Sequence, residues 1–96
     1  MKGKTTPLLR PCPDSKAFKA ANGQVFRGYA DLLDGLKRMD DATFDHHVNK
    51  DGNHFKNWVQ HVFSDDKLAR DFDRAQGRIQ TAQKVAQRLR GLALRH

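Results

Sequence analysis

Apolar residues recur at helical spacing along most of this 96-residue chain, and this periodicity constrains the fold more than any other feature. It is densest over residues 54–63, whose apolar side chains are Phe55, Trp58, Val59, Val62 and Phe63. A chain of this length buries roughly two-thirds of its unfolded surface, which is enough for one core and not for two. The sequence therefore predicts one mainly α-helical domain with its core centred on this segment.

Helical periodicity continues on both sides of the central segment. The predicted helices cover residues 29–39, a short stretch around Phe44 and Val48, 54–63, 65–76 and about 78–94. Asp40 or Asp41 can cap the second helix, Ser64 is predicted to cap the fourth, and Gly77 is predicted to end it. The inward face of the last helix is predicted to comprise Ile79, Ala82, Val85, Ala86, Leu89 and Leu92.

A short β-hairpin is predicted over residues 17–28, because Asn22-Gly23 is the strongest two-residue turn signal. A lone ribbon is marginal in water, so we expect it to pack on the helices. Residues 1–16 contain all three prolines and no periodic pattern, which predicts a flexible basic arm. The predicted organisation is this arm followed by a single domain over 17–96, a compact bundle of four to five short helices with a small hairpin.

The net charge of +7 is distributed unevenly along the chain. Residues 1–28 carry six cations against one aspartate, residues 29–66 four against eight, and residues 67–96 eight against two. Two basic ends around an acidic centre favour contact with a polyanion such as DNA or RNA. The alternative is that the charge serves solubility only, as in many small basic proteins.

The last helix is the best candidate for this contact, because Lys84, Arg88 and Arg95 fall within about 40° of each other on a helical wheel, opposite the apolar face. Gln80, Gln83 and Gln87 add amide donors. The predicted nucleic-acid-binding residues are Lys2, Lys4, Arg10, Lys16, Lys19, Arg27, Arg78, Lys84, Arg88 and Arg95. The alternative function is a protein–protein interaction module or homodimer, in which this stripe is a solvated face.

Several classes of function have no support in the sequence. No apolar run approaches about 18 residues, so no membrane span is predicted. Leu8-Leu9 is too short for the apolar region of a signal peptide, and we expect a cytoplasmic protein. No phosphate loop and no nucleophile–base motif is present, so we expect a non-enzymatic protein without a cofactor.

Histidine and cysteine residues raise the question of a metal site. His46, His47, His54 and His61 are close in sequence, but their spacing suits helix packing better than a structural zinc site, which uses cysteines in paired spacings. No metal is predicted. The single cysteine, Cys12, is expected to be an unpaired surface thiol, with a reactive or dimer-forming thiol as the alternative.

The run from Gly23 to Leu68 resembles an uncharacterised small domain family of archaeal and bacterial proteins. Its pattern reads M-D-x-x-T/E-F-x-x-H-V-N, then N-D-F-x-x-W-V, then D-x-x-L-A. The matching residues here are Met39-Asp40-Asp41-Ala42-Thr43-Phe44, His47-Val48-Asn49, Asn53-His54-Phe55, Trp58-Val59 and Asp66-Lys67-Leu68-Ala69. The resemblance covers about half of the chain and implies a fold without a known activity.

The same resemblance singles out three polar residues around the predicted turn at 49–53. His47, Asn49 and Asn53 are expected to form a structural network that holds this turn through hydrogen bonds to the backbone. His54 stands where the family pattern has Asp, so Asn53 is expected to cap the tryptophan-bearing helix instead. The basic ends lie largely outside the match.

Overall fold

The computed structural model describes residues 10–93. Within that range it has five α-helices and two antiparallel two-stranded ribbons, which confirms the predicted mainly α-helical fold with a small N-terminal hairpin. The helices are α1 (Tyr29–Arg38), α2 (Asp41–His47), α3 (His54–Phe63), α4 (Asp66–Arg74) and α5 (Gly77–Ala93). The strands are β1 (Phe18–Lys19), β2 (Val25–Phe26), β3 (Val48–Asn49) and β4 (Gly52–Asn53).

Short polar side chains cap the N-termini of α2 and α3. The Asp40 carboxylate accepts a hydrogen bond from the Thr43 N–H at 2.9 Å, so Asp40 rather than Asp41 caps α2. The Asn53 side chain accepts a bond from the Lys56 N–H at 3.0 Å at the start of α3. A cap of this kind contributes about 1 kcal/mol, because it satisfies a backbone donor that the helix itself leaves free.

The predicted boundary between α3 and α4 is wrong by one residue. Ser64 has left-handed backbone angles, φ 54° and ψ 34°, and ends α3. The cap of α4 is Asp65, whose carboxylate accepts a bond from the Leu68 N–H at 3.1 Å. The chain reverses within two residues here, so one residue must supply the turn, and an ionised carboxylate suits the positive end of the helix dipole.

Gly77 begins α5 and does not end α4, which corrects its predicted role. Helix α4 ends at Arg74 with Ala75 as its C-cap. Gly77 has a φ of +85° and is the first residue of α5. Glycine adopts this angle at little cost, so it turns the chain between two helices that pack on each other.

The first ribbon turns at Asn22-Gly23 and pairs Phe18 with Phe26. It packs on the helices: the Phe18 ring stacks on Phe55 with ring centroids 4.9 Å apart. The predicted turn at 49–53 is present and also joins a second ribbon, β3–β4. This ribbon was not predicted from the sequence, because strands of two residues are too short to show an alternating pattern.

Helix α1 lies between the first ribbon and α5. Leu32 and Leu36 of α1 are fully buried. Gly35 allows the Phe26 ring to approach the α1 backbone, since a Cβ at this position would overlap the ring. On its other side α1 packs along α5, where the Arg78 guanidinium at the start of α5 donates to the Leu36 carbonyl near the end of α1 at 2.8 Å.

Ile79 was predicted to lie on the inward face of α5, but it is exposed. Ala82, Val85 and Leu92 are buried, and Ala86 and Leu89 are half-buried, whereas Ile79 is 56% exposed. The buried arc is centred on Val85, and Ile79 lies about 120° away from it on the helical wheel. The prediction failed because six apolar residues were spread over an arc wider than two neighbouring helices cover.

The C-terminal part of the predicted arm lies against the domain. Residues Asp14–Lys16 form one turn of 3-10 helix. The Trp58 indole N–H donates to the Lys16 carbonyl at 2.8 Å, and the Cys12 N–H donates to the Arg27 carbonyl at 2.6 Å. Residues 1–9 of the arm lie outside the described part of the chain. Within residues 10–93, none of the helices combines the length and the apolar character needed to cross a membrane.

Candidate nucleic-acid interface

Arg88, in the middle of the predicted basic stripe, points toward the protein interior. Its guanidinium donates to the Asp65 carboxylate from Nε at 2.9 Å and from Nη2 at 3.1 Å. Only 12% of the Arg88 side chain and 1% of the Asp65 side chain are exposed. Lys84 is half-buried and Arg95 lies outside the described residues. The interpretation of these three cations as an exposed stripe opposite the apolar face is therefore corrected at Arg88.

Each oxygen of the buried Asp65 carboxylate accepts two hydrogen bonds. Besides the two from Arg88, one comes from the Leu68 N–H and one from the Tyr29 hydroxyl at 2.7 Å. Burial alone raises the pKa of Asp65, but the bonds from Arg88, Tyr29 and Leu68 outweigh it and hold the pKa below its ordinary value. Burial and the bond to Asp65 raise the pKa of Tyr29 well above its usual range, so its hydroxyl remains a donor.

Two further predicted binding residues also have acidic partners. The Arg78 Nε lies 3.0 Å from an Asp41 oxygen, and only 18% of the Arg78 side chain is exposed. The Arg27 Nε lies 2.6 Å from an Asp14 oxygen at the surface. Because Arg78 also donates to two backbone carbonyls near the end of α1, it joins the end of α1 and the start of α5 to α2. The charge of Arg78 is therefore largely used in contacts within the protein.

The remaining predicted cations have no such partners or lie outside the described residues. Arg10, Lys16 and Lys19 are exposed and Lys84 is half-buried, and none of the four belongs to an ion pair within residues 10–93. Lys2, Lys4 and Arg95 lie outside the range that the structure describes. Within the described range, the N-terminal segment thus retains more accessible positive charge than the two stripe residues of α5, Lys84 and Arg88.

The two ends of the described chain lie at the same end of the domain. Arg10 and Pro11 lie beside Gly28, the residue before α1. Helix α5 runs antiparallel to α1, since Arg78 contacts the end of α1 and Arg88 is joined through Asp65 to its first residue. The last five residues of α5 add about 7 Å beyond Arg88. They therefore extend past the start of α1, which is also the end of this helix beside which Arg10 lies.

The residues of the predicted polar network bond to the backbone in three separate places. The Asn49 side chain donates a hydrogen bond to the His46 carbonyl of α2 at 3.0 Å. It also accepts one from the Asp51 N–H at 2.9 Å, so it stabilises the turn of the second ribbon. Asn53 caps α3. The buried His47 accepts a bond at Nε2 from the Ala21 N–H at 3.0 Å, across to the first ribbon. They form three local anchors and not one network.

His47 and His54 form a pair whose protons can be assigned from geometry. Their Nδ1 atoms are 3.0 Å apart. Because Nε2 of His47 accepts a bond from Ala21, its proton is on Nδ1 and is donated to His54. Burial, with His46 and His54 nearby, lowers the pKa of His47. A metal bound at these Nδ1 atoms would require a proton on Nε2 of His47, which would then face the Ala21 N–H, so the geometry favours the hydrogen bond.

Cys12 is half-buried beside the first ribbon. Burial raises the pKa of its thiol. A raised pKa keeps the sulfur protonated at neutral pH and lowers its reactivity as a nucleophile. Among residues 10–93 there is no group of three or more histidine, cysteine and aspartate side chains placed to hold a metal ion.

The hydrogen-bonded cluster of Tyr29, Asp65 and Arg88 was not predicted from the sequence. One signal was present: Arg88 is three residues after Val85 and four before Leu92, so it flanks the apolar arc of α5. Its buried partner is 23 residues away, and no local pattern identifies such a pair.

Comparison with known proteins does not identify a relative: no protein-family model, no curated protein and no solved structure matches the chain. The resemblance to the small archaeal and bacterial domain family stays a prediction.

Proposed function

We propose that this protein binds nucleic acid, without catalysing a reaction, through its two basic chain ends. The observation that supports the proposal most directly is that both basic ends lead to the same end of α1: Arg10 lies beside Gly28, and Arg88 of α5 is linked through Asp65 to Tyr29. A polyanion that contacts one basic end therefore passes close to the other. Cations that lie along one surface can neutralise successive phosphates, which is the main source of affinity in such complexes.

The balance of ion pairs supports the same surface. Residues 10–93 contain fifteen lysines and arginines and eleven aspartates, and six of each are joined in ion pairs. Nine cations in this range thus have no acidic partner. Arg10, Lys16 and Lys19 are three of them, and they follow one another along the N-terminal segment from the start of α1, beside Arg10, to β1. We call these three residues the N-terminal basic surface.

The proposal is tested by measuring binding to short duplex DNA and to RNA by fluorescence anisotropy at about 50 to 200 mM salt. Affinity should fall steeply as salt rises. The variant Arg10→Ala/Lys16→Ala/Lys19→Ala should bind more weakly, and the slope of log affinity against log salt should decrease by up to about 2.7, since each lost phosphate contact removes about 0.9.

A matched control removes the same charge elsewhere. Lys37, Lys50 and Arg70 are exposed and belong to no ion pair within residues 10–93, but they lie on α1, in the turn of the second ribbon and on α4. Their triple alanine variant should retain the wild-type salt slope. No binding at about 50 mM salt, affinity independent of salt, or equal effects of the two triple variants would refute the proposal.

A protein-interaction module remains the second candidate, favoured by the exposed Ile79 on α5. In that case, protein partners should remain bound to the immobilised chain after nuclease treatment, and Ile79→Gln should release them. Retention of partners by wild-type protein together with no affinity for DNA or RNA would favour this second function.

A further inference from the structure

Helix α5 exposes a row of amide side chains along its whole outer face. It packs against α1 and α4 through a buried arc centred on Val85, and the residues opposite this arc are exposed. The exposed row consists of Gln80, Gln83, Gln87 and Arg90. At 100° per residue these four side chains fall within an arc of about 80°, and at 1.5 Å per residue they span about 15 Å of the helix.

This row differs from an ordinary solvated helix face. Such faces commonly pair opposite charges four residues apart, as Asp34 with Arg38 on α1 and Lys67 with Asp71 on α4 do here. Helix α5 contains no acidic residue in its seventeen positions. The face therefore carries no negative charge of its own that would repel a polyanion. Its amides can each donate and accept a hydrogen bond, which a lysine or a glutamate cannot do.

We propose that the exposed glutamine row of α5 lies in the major groove of duplex DNA and contacts adenine there; this rests on the proposed function. A glutamine amide can bond simultaneously to N6 and N7 of adenine, and the major groove of B-form DNA is wide enough to admit an α-helix. Gln80 and Gln87 are about 10 Å apart along α5, which equals three base-pair steps. The deep, narrow major groove of A-form RNA does not admit a helix, so the geometry favours DNA.

The charges around the row suit this placement. Arg90, the last residue of the row, and Arg74, three residues before the start of α5, are exposed and belong to no ion pair within residues 10–93. They are positioned for the phosphates that border the groove. The N-terminal basic surface begins at Arg10, on the side toward which α5 ends. With α5 in the groove, we expect Arg10, at the end of the domain toward which α5 runs, to be the cation of this surface available to the flanking backbone.

The test compares three duplexes of equal length whose central base pairs are A·T, G·C or inosine·cytosine. An inosine·cytosine pair presents the minor-groove edge of A·T and the major-groove edge of G·C, so it separates the two grooves. Wild-type protein should bind the A·T duplex about tenfold more tightly than either of the others. Gln83→Ala/Gln87→Ala should weaken this preference, because two of the three glutamines of the row are lost, and should leave the salt slope unchanged.

The choice of variants keeps the result interpretable. Gln80 is left intact, because its Oε1 accepts a bond from the Gln76 N–H at 2.9 Å at the start of α5. Alanine favours a helix, so the double variant should keep its circular dichroism spectrum and melting temperature. Gln60→Ala, an exposed glutamine on α3, is the matched control and should bind like wild type.

Each other outcome overturns the inference. Equal preference for A·T in wild type and double variant, with binding and salt slope intact, refutes the role of the glutamines and leaves the proposed function standing. Equal binding of the A·T and inosine·cytosine duplexes places the contact in the minor groove. Tighter binding of duplex RNA than of duplex DNA would assign the face to RNA. Wild-type protein that sediments as a dimer, with a double variant that sediments as a monomer, would assign it to a second copy of the chain. Failure to bind any duplex refutes both proposals.

Discussion

Replacing Arg88 by methionine is expected to destabilise the fold strongly, although arginine on a helix of a basic protein is normally a surface residue. The change removes two charge-assisted hydrogen bonds and leaves the Asp65 carboxylate, of which 1% is exposed, without its cation. Methionine retains much of the volume of the arginine stem, so the packing of the neighbouring helices is largely preserved. The effect therefore reports on the charge.

The expected loss in the free energy of unfolding depends on the hydrogen bonds that Asp65 retains. Removing one partner of a buried ion pair costs about 3–5 kcal/mol, because the other charge is left uncompensated. Asp65 still accepts bonds from Tyr29 and from the Leu68 N–H, so we expect the lower end, about 3 kcal/mol. Asp65→Asn in the same chain removes the stranded charge and retains an N-cap side chain, so the double variant should recover part of the loss.

Urea unfolding followed by fluorescence of the buried Trp58 measures the effect. With a slope of about 1–3 kcal/mol per molar urea, the midpoint should fall by about 1–3 M. Arg90→Met is the control, because Arg90 is exposed on the same helix and belongs to no ion pair within residues 10–93; it should change the stability by less than about 0.5 kcal/mol. Equal midpoints for the two variants would refute the argument.

The loss at Arg88 should also depend on pH. Its bonds hold the folded-state pKa of Asp65 below the unfolded value, so the folded state is stabilised above about pH 4 and loses this contribution as the carboxylate becomes protonated. The difference between wild type and Arg88→Met should therefore be largest near neutral pH and shrink as the pH falls below about 4. A difference that is constant from neutral pH to pH 3 would show that packing, and not the ion pair, is responsible.

Close packing, helix capping and histidine protonation each give a prediction that unfolding experiments can check. Gly35→Ala should destabilise by about 1–3 kcal/mol despite its better helix propensity, because the added methyl overlaps the buried Phe26 ring; a gain in stability would contradict this. Asn53→Ala should cost about 1 kcal/mol and Asn53→Asp much less, since only the former loses the cap; equal losses would argue against capping. Burial lowers the pKa of His47 in the folded state, so the free energy of unfolding should fall as the pH drops below about 6.5. The same fall should occur in the control variant His61→Gln, because His61 is exposed. A free energy of unfolding that stays constant from about pH 8 to 5 would exclude this role of His47.

The helices could be predicted because their signals are local. The predicted range 54–63 matches α3 in full, and the Asp40 cap was one of two candidates that the sequence offered. The errors at Ser64 and Gly77 concern chain reversal between packed helices. Ser64 and Gly77 adopt positive φ angles because the chain must turn between two helices that pack at a given angle. That angle is set by the packing of the helices, and the neighbouring sequence does not specify it.

The candidate site was only partly predictable, because a cation's partner is set by the fold. Lys84 and Arg88 are four residues apart on one helix, yet Arg88 has a buried aspartate 23 residues away and Lys84 has no ion pair within residues 10–93. Both were predicted to lie opposite the apolar face, but on the helical wheel Arg88 is only about 60° from Val85, at the edge of the buried arc, and the wheel takes no account of Asp65 at the start of α4. Gln83 and Gln87, in contrast, are exposed as their wheel positions indicate.

Internal ion pairs change what the net charge of the chain says about binding. Arg78 and Arg88, the two cations of α5 that form ion pairs within residues 10–93, neutralise aspartates of the acidic segment and thereby attach α5 to α2 and to the start of α4. The acidic centre and the basic C-terminal segment are therefore partners within the fold, and part of the opposite charge along the sequence is cancelled in space. Of the accessible cations that remain, three form the N-terminal basic surface and Arg74 and Arg90 lie near the amide row of α5, while Lys37, Lys50 and Arg70 lie elsewhere. An interface built in this way should draw its salt dependence from the N-terminal segment and its base preference from α5, so variants in the two segments should affect different measurements.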